Sequence, residues 1–161
     1  MATLRRLGAP EDDILIAQGN LASTLLELGR LEEAVRMLKE VYASRVRLFG
    51  HDEETLNVAL NLSITLIKAG NASESMAFLR PLLPLARRAL GADHHVPLGL
   101  AHTHAHAVMN CAAASRDELI FAEKLLEDTA RRLRRVFGIA HPSTPRAEGD
   151  LALIRERLAE L

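Results

Sequence analysis

Residues 34–50 read AVRMLKEVYASRVRLFG, residues 75–91 read SMAFLRPLLPLARRALG, and residues 122–138 read AEKLLEDTARRLRRVFG. Each stretch opens on a small side chain, Ala34, Ser75 or Ala122, and closes sixteen residues later on Gly50, Gly91 or Gly138 after an apolar pair or near-pair. Leu7-Gly8 reads as the end of an earlier copy, so successive glycines stand 42, 41 and 47 residues apart. Self-similarity at such a period marks a stacked array of supersecondary units rather than a globule closed around one core.

Each unit carries two helical stripes. In the first copy Ile14, Ala17, Leu21, Leu25 and Leu28 recur at helical spacing, and Gly29 follows where a left-handed cap would close the helix. A second stripe, Leu31, Ala34, Val35, Leu38, Val41 and Tyr42, starts almost at once and should run to about Leu48, with Glu32 and Glu33 where the helix dipole favours acids. The second copy repeats the plan with Leu56, Ala59, Leu62, Leu66 and Ile67, then Gly70, then Ala72, Ser75, Leu79, Leu82 and Leu83. Small Ala22, Ser63, Ala34 and Ser75 are placed where paired helices cross, since only a short side chain lets the two backbones approach.

These residues resemble a known family. Leu21-Ala22-x2-Leu25 followed by Ala34-x3-Leu38, and Leu62-Ser63-x2-Leu66 followed by Ser75-x3-Leu79, are similar to the tetratricopeptide signature. The long period, the links at Phe49-Gly50-His51 and Leu90-Gly91-Ala92-Asp93-His94, and the runs Asn20-Leu21-Ala22 and Asn61-Leu62-Ser63 resemble the kinesin light chain type of this repeat. The resemblance implies an all-α, right-handed α-solenoid of three antiparallel helix pairs plus a terminal helix. Residues 1–10 would end a preceding helix, 11–50, 51–91 and 92–138 would form the repeats, and 139–161 would form the capping helix. A HEAT or armadillo array, whose period also fits, is the structural alternative. Kinesin light chains bind cargo adaptors and the motor's heavy chain, so the resemblance implies interaction or scaffold work. This chain has no heptad region to support association with a heavy chain.

Two places depart from the pattern. The third copy is six residues longer than the second, and no glycine closes its first helix. Either Thr103-His104-Ala105 takes the Asn-Leu-Ala position and the turn near Ala112 to Glu118 is lengthened, or Asn110-Cys111-Ala112 takes it; the small-then-large spacing of Ala105 and Val108 favours the first. Pro97 then falls in a first helical turn, which tolerates it. Pro81 and Pro84 stand inside a predicted helix from Ala72 to Leu90, and since proline removes a donor and clashes one turn back, a kink or break near Arg80 is expected. The last copy is one helix, Pro145 to about Leu158, and Thr3 to Leu7 reads as the tail of a helix, which fits an excerpt of a longer array, with a free-standing short protein as the alternative.

Composition narrows the functions. Twenty basic and twenty-one acidic side chains leave a formal charge of −1, so no global field attracts nucleic acid or an anionic membrane. Aromatic residues are only 3%, too few for the base-stacking platforms of single-strand binders. A single cysteine, Cys111, excludes an intramolecular disulfide and fits a reducing compartment, the cytosol by default. No stretch approaches the length of a membrane-spanning helix.

Chemistry-bearing clusters are few. Five of the seven histidines lie between His94 and His106, and on a helix His102 and His106 share a face with zinc-chelating spacing, although Cys111 is off that face by phase. Groove or surface histidine is the simpler reading; a metal-binding helical protein is the alternative. His94 and His141 suit turns, and His141-Pro142-Ser143-Thr144 suits a hydroxyl-capped helix start. Arg131, Arg132, Arg134 and Arg135 form either a solvated face or a site for an anionic segment. No phosphate loop, nucleophile elbow or Cys-His arrangement appears, so neither an enzyme nor a cofactor is expected.

Stacking leaves an extended concave groove lined by the first helix of each pair. Helical phase nominates Ser23, Leu26 and Glu27, then Asn57, Ile64 and Lys68, then His102, His106, Met109 and Asn110 as its partner-binding residues. Their mixed character suits a protein or peptide ligand, with apolar anchors in pockets and backbone held by asparagine. Leu26, Ile64 and Met109 could instead pack between repeats, and the whole chain could be a purely structural segment that stacks on flanking repeats.

Overall fold

Wherever the helical stripe was legible, a helix forms. The computed structural model describes residues 10–161 and contains, among them, seven helices and no strand: α1 Glu11–Glu27, α2 Leu31–Phe49, α3 Glu53–Lys68, α4 Ala72–Leu90, α5 His95–Asn110, α6 Arg116–Phe137 and α7 Ser143–Ala159. The expected helix tail at Thr3 to Leu7 lies outside the described residues. Consecutive helices pack as antiparallel pairs, and the first helices α3, α5 and α7 also touch in series. Neighbouring second helices meet through long side chains instead, with Lys39 to Glu74 at 2.5 Å and Arg87 to Asp128 at 3.3 Å.

The small residues sit at the crossings. Ala22, Ala34, Ser63, Ser75, Ala105 and Ala122 are all fully buried, and Ser75 Oγ donates to the Ser63 carbonyl at 3.3 Å across the α3–α4 crossing. Such an approach leaves no room for a larger side chain. Layers of leucine fill the space on either side, among them Leu56, Leu66, Leu79, Leu100, Leu119 and Leu126.

Turn geometry follows the glycines. At Gly70, with φ of 80°, the Gly70 N–H donates to the Ile67 carbonyl and the Asn71 N–H to the Leu66 carbonyl, the paired bonds of a Schellman cap. At Gly91 the backbone takes φ 89° and ψ 150°, a region essentially reserved for glycine, which turns the chain out of α4 toward α5.

Several expectations need correction. Helix α4 runs unbroken through Pro81 and Pro84. Both prolines lie on its exposed face with Ala77 and Arg80, so the carbonyls that lose a donor are on the side that water reaches, while Leu79, Leu82, Leu83 and Ala86 hold the other face in the core. The stripe of α1 is shifted: Ile14, Leu15, Ala22 and Leu25 are buried, whereas Leu21 and Leu28 stand on the side that neither α2 nor α3 covers and are 40% and 67% exposed. Helix α7 begins two residues before Pro145 without a hydroxyl cap. There Ser143 N–H donates to His141 Nδ1 at 3.3 Å, and Thr144 Oγ1 reaches back to the Gly138 carbonyl at 2.9 Å.

In the third pair, α5 ends at Asn110 and Ala105 is fully buried at the crossing; α5 is no longer than α3, and the extra length is shared between one more residue in the link 91–94, a longer α6 and the five-residue link 111–115. The link closes on a capping box: Glu118 N–H donates to Ser115 Oγ at 3.3 Å and Ser115 N–H to Glu118 Oε2 at 2.7 Å. The Ser-x-x-Glu spacing at 115–118 carries that signal in the sequence.

Candidate partner-binding groove

The face lined by the first helices carries three adjoining hollows. One, of about 150 Å³, lies between α1 and α3 beside Asn20, Ser23, Asn57 and Asn61. A narrow one of about 50 Å³ continues it past Ser23, Leu26, Asn61 and Ile64. The third, about 320 Å³, lies beyond Ile64 between Lys68, His102, Thr103, His106 and Arg146. Shared walls at Ser23, Asn61 and Ile64 join the hollows into a path that changes from amide-lined to apolar to basic.

Arg45 frames the amide-lined end. It is 3% exposed on α2, and its guanidinium donates to Asp12 at 2.7 Å and Glu54 at 2.8 Å, with Asp52 at 3.5 Å. These acids belong to the first turn of α1 and the start of α3, while Asp52 also caps α3 by accepting the Thr55 N–H at 2.8 Å. A buried guanidinium needs such forked partners, and here they lock three helices together.

The basic end is less compensated. Among the described residues Lys68 and Arg146 have no acidic partner within 4 Å. His102 has one: its Nε2 lies 2.7 Å from Asp150 of α7, although the two are not aligned as a good hydrogen bond. Burial holds the His102 imidazole below its ordinary value and neutral; the Asp150 carboxylate opposes that shift, and Arg146 and His106 reinforce it.

The structure brings seven of the ten nominated residues, Ser23, Leu26, Asn57, Ile64, Lys68, His102 and His106, to these hollows. Glu27 is exposed beside them without lining one. Met109 packs into the core formed with α6 and α7, and Asn110 Nδ2 is taken by the His106 carbonyl at 2.8 Å. Residues not nominated also line the path. Asn61 lies on the Asn57, Ile64, Lys68 stripe and was legible by phase, whereas Arg146 comes from another repeat and needed the tertiary structure.

The other clusters resolve differently. The arginine run is occupied internally: Arg132 bonds Asp93 at 2.7 Å and Asp128 at 2.9 Å, Arg135 reaches Asp93, Arg131 reaches Asp128 and Arg134 reaches Glu148. An anionic segment would therefore have to displace acids already in place. Potential metal ligands converge elsewhere than expected, with ligand atoms of Glu53, His94 and His95 within 4.8 Å of one another. Yet His94 Nδ1 accepts the Val96 N–H at 3.3 Å as the N-cap of α5, which puts the proton of the neutral ring on Nε2, where a metal would need a lone pair.

An array of helix pairs crossing on small residues and open along one face is a helical-repeat solenoid. Residues 13–88 match the family model of the tetratricopeptide repeat. Crystal structures of a Podosopora anserina protein described as a kinesin light chain with nearly identical TPR-like repeats share the fold: one superimposes with a TM-score of 0.75 at 22% identity, and a single-substitution variant with 0.76 at 23%. Each likeness covers 87% of this chain and 64% of that one, so the chain spans less than two thirds of those structures. Among curated proteins none matches. The fold is thus an all-α solenoid of tetratricopeptide-like helix pairs, as the motifs implied, and no described helix is long and apolar enough to cross a membrane.

Proposed function

We propose that the chain is a protein-interaction module that holds an extended peptide segment or a partner helix along the first-helix groove. The observation that carries this reading is the continuity of the three hollows through Ser23, Asn61 and Ile64. Asparagine amides at one end can satisfy a peptide backbone in both directions, and Leu26 and Ile64 offer an apolar seat for an anchor. Lys68 and Arg146, without acidic partners among the described residues, favour an acidic side chain at the far end.

The experiment is a peptide-library selection on the wild-type chain, followed by affinity measurement on an Asn57→Ala, Ile64→Glu double variant whose helicity is checked by circular dichroism. The expected result is a loss of at least tenfold in affinity. Equal affinity in a folded variant overturns the groove reading. A second reading, stacking on flanking repeats, draws on exposed Ile16, Leu21 and Leu28 along α1 and Leu153 on α7. It predicts that adding flanking repeats raises solubility.

A further inference from the structure

The residue before the small crossing position is Leu21 in the first pair and Leu62 in the second, but in the third it is His104. His104 is 1% exposed, and among the described residues neither of its ring nitrogens has a hydrogen-bond partner. Burial holds the imidazole below its ordinary value and neutral, so it offers one N–H donor and one lone pair. A buried polar group left unpaired in a core position demands a physical explanation.

The explanation lies beside it. His104 borders a cavity of about 210 Å³ whose other walls include Ser73, Met76, Arg80, Cys111 and Glu118. This cavity sits between the exposed face of α4 and the long 111–115 link, a place that the three-residue links 28–30 and 69–71 of the other pairs do not build. The guanidinium of Arg80 lies 4.8 Å over the Phe121 ring, against which His104 also packs at 5.4 Å. Among the described residues Arg80 has no acidic partner within 4 Å; the Glu118 carboxylate in the same wall turns its Oε2 to Ser115, accepting the N–H at 2.7 Å and the hydroxyl at 2.9 Å.

We propose that this cavity is a second binding site, separate from the groove, that takes a carboxylate group held by the Arg80 guanidinium and the His104 N–H. The guanidinium is pre-oriented by Phe121 and presents the fork that matches a carboxylate. Cavity size limits the ligand to a small organic acid or to the free C-terminus of a peptide, which offer the same chemistry.

The test uses the 161-residue chain, titrated with sodium succinate, with triglycine and with C-terminally amidated triglycine, against sodium chloride at matched ionic strength. His104 imidazole signals and the melting temperature are followed. Succinate or free triglycine should shift the His104 signals saturably and raise the melting temperature, and which of them does so identifies the source of the carboxylate. Arg80→Met should weaken binding roughly tenfold or more. His104→Leu, which restores the residue type of the other pairs, should fold and lose the response. The proposal is overturned if neither carboxylate gives a saturable shift, if chloride or amidated triglycine gives the same response, or if both variants bind as wild type. A response confined to His102 and His106 would also overturn it, by placing the carboxylate in the groove.

Discussion

Arg157 in the last turn of α7 donates from Nη1 to the Met109 carbonyl at 3.0 Å, closing the C-terminus of α5 from 48 residues away. The same guanidinium reaches the carbonyls of Val108 at 3.3 Å and Cys111 at 3.0 Å. A helix end leaves its last carbonyls without donors and carries negative dipole charge, and in the two earlier pairs the chain past a glycine satisfies them. The third pair has no such glycine, and a cation from the terminal helix takes over.

Arg157→Ala is therefore expected to destabilise the chain by about 1–2 kcal/mol, the range of a charge-assisted bond to half-buried backbone. Urea unfolding measures the loss, and hydrogen exchange should show it concentrated at residues 108–115. Arg157→Lys should restore only part, since an ammonium lacks the fork that spans several carbonyls.

Arg45→Met keeps the stem packing and removes the guanidinium that ties α1 and α3 to α2. The expected cost is about 1–3 kcal/mol, held down because Asp12 and Glu54 are half exposed and can turn to water. A cost below about 0.5 kcal/mol would show that the clamp is a surface pair in energetic terms.

The α3–α4 crossing predicts an asymmetric series at Ser75. Ser75→Ala removes one hydrogen bond of 3.3 Å and should cost under about 1 kcal/mol, whereas Ser75→Leu must push two backbones apart and should cost about 3 kcal/mol or prevent folding. Similar stabilities for the two variants would refute close approach at this position.

Stability should fall on mild acidification. His102 and His104 are both held below the ordinary histidine value, chiefly by burial. Near pH 6.5 the unfolded chain then takes up protons that the folded chain refuses, so stability is full above that pH and is lost progressively below it. The slope can reach about 1.4 kcal/mol per pH unit for each histidine. His104→Leu should remove one of the two contributions, which denaturant melts between pH 5 and 7 would resolve. A flat profile would mean that Asp150 beside His102, and Glu118 near His104, offset the burial.

Local periodic features were legible. The stripes of α2, α3 and α4, the Schellman glycines and the small crossing residues repeat at fixed offsets, and each depends on contacts within one or two helical turns or on a crossing that recurs in every copy. Phase along α3 also located Asn57, Ile64 and Lys68 on the hollowed face. The readings that failed concerned faces and partners. The stripe of α4 already put Pro81 and Pro84 on the face opposite the core, but the expected break counted the lost donors and not the side on which they fall, and Leu21 and Leu28 matched the buried spacing although no described helix covers them.

The amino-acid sequence by itself determined that this protein is an array of helix pairs crossing on Ala and Ser, because that information is local and repeats. Only the tertiary structure decided where the long polar side chains go: Arg157 to the end of α5, Arg45 to acids on two other helices, His102 to Asp150, the arginine run to Asp93, Asp128 and Glu148, and His104 to an open cavity. Such side chains bridge partners tens of residues apart, and their pairing depends on how one repeat rotates against the next, which no spacing within a single helix encodes.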